Sequence, residues 1–288
     1  MTMLRSAPRP AVAPRPAHGR RGGRILSIYL PLFGYLAFTL VPLYWMLVYA
    51  LRDPGSRLFT PFPLSWENFD AVLASLNFAT FLRNSAVIGI GTVILTVLFA
   101  LMGGYALARF RFRGRRAFLV LLLCTQFVPG AMLLIPLYEV FRDLGLLNSL
   151  QGLIVANTVF QLPLAMILMS GFIRSVPVQI EEAAMIDGCG RLRGFRTVVL
   201  PLLGPALVAV SSFSFIGAWN NFLFGLMFIN EQERFPVPVG LSYLVGEHSA
   251  DYGALAAGGM LSILPVVLVF AYVQRHLVQG MTLGAVKG

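Results

Sequence analysis

The residues from which chemistry can be argued lie between positions 182 and 205, which read EAAMIDGCGRLRGFRTVVLPLLGP. Acidic and small side chains stand here at fixed intervals, between two long apolar stretches. Ser175 is placed to cap a helix start, and Pro177 fits its first turn. Gln179, Glu181 and Glu182 set polar or acidic groups near that positive helix end. Gly188 fits a left-handed stop, a conformation that a residue with a Cβ enters at a cost. The spacing therefore predicts a helix of about three turns over residues 177–187. Ala183 and Ala184 give it a slim face that a groove on another protein could approach closely. Glu-Ala-Ala alone fits an ordinary amphipathic connector, whereas the whole spaced pattern fits a docking loop. The chemistry is that of recognition.

Groups suited to catalysis or metal binding are scattered. His18, His248 and His276 are the three histidines, and Cys124 and Cys189 the two cysteines. Neither cysteine sits in a ligand cluster, and no triad is readable. Lys287 is the only lysine and is followed by Gly288. A phosphate-cradling loop needs Gly-Lys-Ser or Gly-Lys-Thr, so no such ATP site is expected. The apolar stretches carry no carboxylate, lysine or histidine suited to a proton relay. Any uphill work must then draw on a partner. One polar cluster, Trp219-Asn220-Asn221-Phe222, interrupts an apolar run. Buried amides are costly unless hydrogen-bonded, so packing between helices and lining of a water-filled path both fit.

The elements that position these residues are membrane spans. Hydrophobic residues make up 57% of the chain and charged residues 12%, which excludes an ordinary soluble domain. Six windows are long enough to cross a bilayer core: 25–51, 86–108, 117–138, 150–172, 202–229 and 253–272. None has Lys, Arg, Asp or Glu in its interior. With a cytoplasmic N-terminus, seventeen of the twenty-two basic residues fall inside, and nine of the twelve acids fall outside. That bias predicts an N-in, C-in topology and accounts for the net charge of +10 without a nucleic-acid partner. The apolar stretch at 25–51 is too long for a signal-peptide core and reads as a retained first span.

Residues 1–24, rich in Pro, Ala and Arg, read as a disordered basic cytoplasmic tail that anchors topology and can meet anionic lipid. One six-helix domain is expected over 25–288. The outer segment 52–83, marked by Pro61, Pro63 and Trp66, is expected to fold with a short helix near 67–76. Asn84 and Ser85 are expected to open the second span. The alternating Arg and aromatic residues of 106–116 read as a basic interfacial anchor. Gln126, Pro129, Gly130 and Pro136 mark the third span as irregular.

Several of these features together resemble the permease subunits of ATP-binding cassette (ABC) importers. Glu182-Ala183-Ala184, Asp187-Gly188, Phe195, Leu200-Pro201-Leu202 and Pro205 follow the cytoplasmic EAA loop of that family, except that Cys189 stands where the family usually has Ala. Phe81-Leu82-Arg83-Asn84-Ser85, Ile135-Pro136-Leu137-Tyr138, Gly145-Leu146-Leu147-Asn148, Trp219-Asn220-Asn221-Phe222 and the end Gly284-Ala285-Val286-Lys287-Gly288 are similar to the smaller permease of carbohydrate importers such as those for maltose. The resemblance runs from residue 78 onward, with a core of about 80–276.

It implies an all-α polytopic membrane protein with six transmembrane helices and a type I ABC importer permease fold. Such a chain is a multi-pass subunit of the cytoplasmic membrane that forms half of a sugar pathway. It is not itself an enzyme, and ATP is bound by a partner. The implied partners are a second homologous permease, a pair of cassette ATPases and an extracytoplasmic solute-binding protein. By resemblance, Glu182, Ala183, Ala184, Asp187 and Gly188 contact the ATPase, and Gly284, Ala285, Val286, Lys287 and Gly288 reach between the ATPase subunits. The outer 230–252 loop would meet the binding protein. Trp219 would suit stacking on a sugar face, and Asn220 and Asn221 bonding to hydroxyls. Glycerol-phosphate uptake uses similar permeases but would favour basic groups, which the spans lack. A secondary transporter would need paired repeats or an embedded ion site.

Overall fold

A computed structural model describes residues 21–53, 62, 64–75, 77–245 and 251–284. Most of the basic tail, Pro61, Pro63, Leu76, residues 246–250 of the outer loop and the terminal Ala285-Val286-Lys287-Gly288 lie outside the described residues. The chain divides into two units, Met1–Trp45 and Met46–Gly288. The described part of the first is helical, belonging to α1 (Arg21–Leu51), with Pro31 and Pro42 within the helix. Its apolar side chains, Phe33 and Phe38 among them, are exposed.

The second unit continues through α2 (Glu67–Ser75), α3 (Phe78–Arg109), α4 (Arg115–Thr125), α5 (Leu134–Asp143) and α6 (Leu150–Ser175). There follow α7 (Val178–Ile186), α8 (Arg191–Gly194), a π-helical stretch Phe195–Val199, α9 (Leu200–Leu202) and α10 (Gly204–Trp219). The remaining helices are α11 (Leu223–Phe228), α12 (Val237–Ser242) and α13 (Tyr252–Gly284). α2 matches the short helix expected in the outer segment.

Among the described residues, four unbroken helices are long and apolar enough to cross a membrane, with spans over Ile28–Leu51, Phe78–Arg109, Leu150–Ser175 and Tyr252–Gln274. Two bent pairs bring the total to six if each crosses once. The first pair gives form to the irregularity expected in the third span, and the second breaks the window expected as the fifth span. Arg115–Thr125 meets Gly130–Asp143 at 92°. The N–H groups of Gln126, Phe127 and Val128 fall back to three-residue bonds, and Pro129, which has no N–H, is extended. Arg191–Leu202 meets Gly204–Trp219 at 75°. Pro205 sits four residues after Pro201, where its ring would collide with that carbonyl in a continuous helix.

The second unit is organised on α3 and α6. Thr92, Thr96, Ala100 and Gly104 recur every four residues along α3 and are buried. This stripe of small side chains lets two helix backbones approach, the means of association available to helices in lipid. A Cβ added at Gly104 would lie 3.0 Å from Met169 Cβ and 3.1 Å from the backbone nitrogen of Ser170. α10 closes on the same pair, with Phe215 over Gly89. One apolar cluster, including Phe78, Phe81, Phe141 and Phe228, gathers near the start of α3. A second, including Ala100, Met169, Ile173, Val199 and Val210, gathers toward its other end.

Asn84 and Ser85 do not open the second span, because α3 begins a turn and a half earlier at Phe78. They hold the 233–237 segment instead. The Asn84 amide donates to the carbonyls of Glu233 at 2.8 Å and Phe235 at 3.1 Å. Ser85 Oγ accepts from the Val237 N–H at 2.8 Å. Asn148, with φ at 50°, accepts the N–H groups of Asn230 and Glu231 at 3.2 Å each. The sequence elements around Asn84 and Asn148 are thus local latches of one loop.

Replacing Gly104 by Leu should force α3 and α6 apart and lower stability by about 1–3 kcal/mol. Thermal unfolding in detergent will read this as a lowered midpoint. Gly171→Leu, where no atom lies within 4 Å of the added Cβ, should leave the midpoint nearly unchanged.

Candidate functional site

The 175–200 loop folds as predicted at its end and differently at its start. Ser175 is the last residue of α6 and donates its hydroxyl to the Phe172 carbonyl, so it caps nothing in α7. The turn between helices is made by Val176 and Pro177, both extended in ψ. At the other end Gly188 has φ 83°. Its N–H donates to the Met185 carbonyl, and that of Cys189 to the Ala184 carbonyl. These two bonds form a Schellman stop, which satisfies the final carbonyls of the helix.

The two alanines differ in placement. Ala183 is exposed, whereas Ala184 is buried against Gly194 of α8. The expected two-alanine outer face is corrected accordingly, because consecutive helical positions lie about 100° apart. Glu182, Asp187 and Gly188 are exposed. So are two apolar side chains the sequence analysis passed over, Ile186 at 86% and Leu192 at 72%. They lie in the chain among the exposed charged residues Asp187, Arg191 and Arg193. The available signal was two apolar residues inside an otherwise polar loop.

A second omission is the anchor beneath the loop. Arg109, expected as an interfacial cation, and Glu181, expected as a helix-end acid, meet in an ion pair. Arg109 Nε donates to Glu181 Oε1 at 2.6 Å, with the two side chains only 10% and 12% exposed. The Tyr105 hydroxyl donates to Glu181 Oε2 at 2.9 Å, and a second Arg109 nitrogen donates to the Val176 carbonyl at 2.8 Å. Both carboxylate oxygens are engaged, and charge-assisted bonds of this kind are among the stronger ones. Phe195 stands edge-on to Tyr105 at 4.9 Å, and Arg174 donates to the Leu107 carbonyl. A pocket of about 200 Å³ opens beside this anchor, bounded by Phe110, Val178, Glu182, Met185 and Arg191.

Trp219, Asn220 and Asn221 part company. Trp219 is buried and stacks on Phe215 with centroids 5.4 Å apart. It borders an apolar groove of about 830 Å³ between α3, α10 and α13. Asn221 Nδ2 donates to Asn157 Oδ1 of α6 at 2.8 Å, and Asn221 Oδ1 accepts the Phe224 N–H at 3.1 Å. The Trp-Asn-Asn-Phe cluster ends α10 rather than lying within a continuous helix. Asn221 thus makes a contact between helices. Asn220 is exposed. Gly284 ends α13. Among the described residues, no three His, Cys, Asp or Glu side chains gather as a metal set requires.

Asn221→Ala should remove both bonds, strand the Asn157 amide oxygen and cost about 1–3 kcal/mol. Asn220→Ala should change stability by no more than about 0.5 kcal/mol. Parallel unfolding curves of the two variants will separate them.

Comparison with known proteins agrees with this architecture. The family model described as "Binding-protein-dependent transport system inner membrane component" matches residues 97–283. The diacetylchitobiose uptake system permease protein DasC of Streptomyces coelicolor is 36% identical over 86% of this chain and 91% of its own length. The arabinooligosaccharides transport system permease protein AraQ of Halalkalibacterium halodurans is 33% identical over 93% and 99%. Among solved structures, a chain of a bacterial ABC transporter involved in the import of the acidic polysaccharide alginate superposes with a TM-score of 0.76. That match is 26% identical and covers 91% of this chain and 99% of that one. With the family model spanning well over half its length, this chain belongs to the inner-membrane permease components of binding-protein-dependent ABC importers.

Proposed function

We propose that this chain is the transmembrane permease subunit of an ATP-driven importer for a sugar or short oligosaccharide. It forms half of the translocation pathway and is coupled to a separate ATPase through the 175–200 loop. The observation that carries the coupling role is the exposed helix α7. It ends in a glycine stop and leaves Glu182, Ala183, Ile186, Asp187 and Gly188 exposed, with Leu192 exposed on the short helix that follows. Exposed apolar side chains among charged ones are groups that a docking partner can desolvate with good return. Ala184 acts from beneath, holding α7 against α8. The basic-residue bias puts this loop, and both chain ends, on the cytoplasmic side. The carbohydrate transport named in the relatives supports a sugar-class substrate.

In this reading ATP binds to a pair of cassette ATPases rather than to this chain, and a second, homologous permease supplies the other docking loop. An extracytoplasmic binding protein delivers solute to the outer surface. The loop latched by Asn84, Ser85 and Asn148 is suited to receive it, because its shape is fixed before contact. Closure of the ATPase pair moves the docked helices, and the permease halves rock between inward- and outward-facing states. Trp219, buried against Phe215, reaches a sugar only through the groove it borders, and Asn220 is the more accessible polar group. Residues Gly284, Ala285, Val286, Lys287 and Gly288 would extend toward the ATPases.

Gly188→Val should strain the left-handed turn by about 1–2 kcal/mol and misplace α7. Uptake into vesicles should fall strongly while membrane insertion persists. Gly188→Asn, which tolerates this conformation, should retain most uptake. Wild-type uptake with normal ATPase association in the Val variant counts against the docking role.

Co-purification should return this chain, one homologous permease and two ATPase copies, and binding protein loaded with sugar should raise ATP hydrolysis by that assembly. Concentrative sugar uptake by this polypeptide alone, driven by an ion gradient, refutes the reading.

A further inference from the structure

Glu181 and Glu182 are neighbours in sequence with opposite environments. Glu182 is exposed. Glu181 is turned under the loop, with both oxygens committed to side chains of α3. Tyr105 and Arg109 stand one helical turn apart on that helix, so together they grip one carboxylate from one face. Arg109 also holds the Val176 carbonyl at the junction of α6 and α7. Phe195, just beyond α8, covers the Tyr105 ring. Four chain segments thus converge on a single ion pair.

We propose that Tyr105, Arg109 and Glu181 form a mechanical latch that makes the docking helix α7 and the membrane helix α3 one rigid body. These are positioning residues. Mostly covered at the floor of the pocket beside the loop, they act on transport by carrying displacement of α7 into the bundle. The inference rests on the docking reading above. Its physical basis is stiffness. A carboxylate held at both oxygens, one by Arg109 and one by Tyr105, is fixed in direction as well as distance, which a single apolar contact does not achieve. A carboxylate left without its cation in an enclosed site is unfavourable, so the joint resists sliding to an intermediate arrangement. α3 then continues unbroken from the latch to Asn84 and Ser85, where it holds the outer loop. Thirty-two residues of helix span about 48 Å, enough to link the two faces of a bilayer.

The test uses the full transporter, assembled with its permease partner and ATPases in vesicles and supplied with binding protein and sugar. Arg109→Cys and Glu181→Cys are combined in a Cys124→Ser, Cys189→Ser background. ATP hydrolysis and sugar uptake are measured together, before and after treatment with a short, reducible bifunctional thiol reagent. The expected result is a complex that keeps its ATPase, hydrolyses ATP and takes up sugar roughly 5-fold or more less per ATP. Cross-linking should restore most of that ratio, and reduction should abolish it again. Glu181→Gln, which keeps the hydrogen-bonding shape without the charge, should fall between.

An unchanged ratio in the double variant overturns the latch. Loss of ATPase from the variant, not reversed by cross-linking, also overturns it and assigns the pair to docking or folding. A wild-type assembly that holds no ATPase would instead fail the docking reading, and the latch with it.

Discussion

The close approach of α3 and α6 is the constraint on which the second unit depends. Lipid offers no hydrophobic reward for burying one apolar helix against another, so contact must come from fit. The stripe of Thr92, Thr96, Ala100 and Gly104 supplies that fit by removing side-chain bulk along one face. Once α6 is seated, Phe215 of α10 can close over Gly89, and the two apolar clusters form toward opposite ends of α3. The loops at each face are then tied to the ends of this pair rather than to each other.

That arrangement gives α3 an unusual role. Near its start, Asn84 and Ser85 satisfy backbone groups of the 233–237 segment. At its far end, Tyr105 and Arg109 satisfy Glu181 and Val176. Both sets neutralise polar groups that would otherwise be buried without partners. In the proposed reading, displacement must pass from a docking loop on one face to a pathway open to the other. A continuous helix pinned at both ends does this with few degrees of freedom. The bent pairs, by contrast, interrupt the hydrogen-bond ladder at Pro129 and Pro205, where changes of angle cost least.

Sequence by itself determined the class and much of the organisation. Hydropathy set the number and order of apolar segments, because spanning a bilayer demands length and excludes charge whatever the neighbours. The glycine stop at Gly188 was legible for the same kind of reason, since a left-handed φ is a local property of one residue. The short helix near 67–76 and the irregularity around Pro129 were local in the same sense. The family resemblance, carried by spaced elements, agreed with the family that the comparisons show.

Tertiary structure decided what depends on partners distant in sequence. Ser175 looked like a cap, yet α6 runs through it, because burial of Met169 and Ile173 against α3 and α10 extends that helix to its end. Ala183 and Ala184 are chemically alike, and only the position of Gly194 turns one inward. Asn221 fits packing and pathway equally in the sequence, and only the fold sets Asn157 opposite it. Arg109 and Glu181 lie 72 positions apart. Nothing local distinguishes them from other surface charges, and their pairing exists only because α3 and α6 pack side by side in the same direction and so end together.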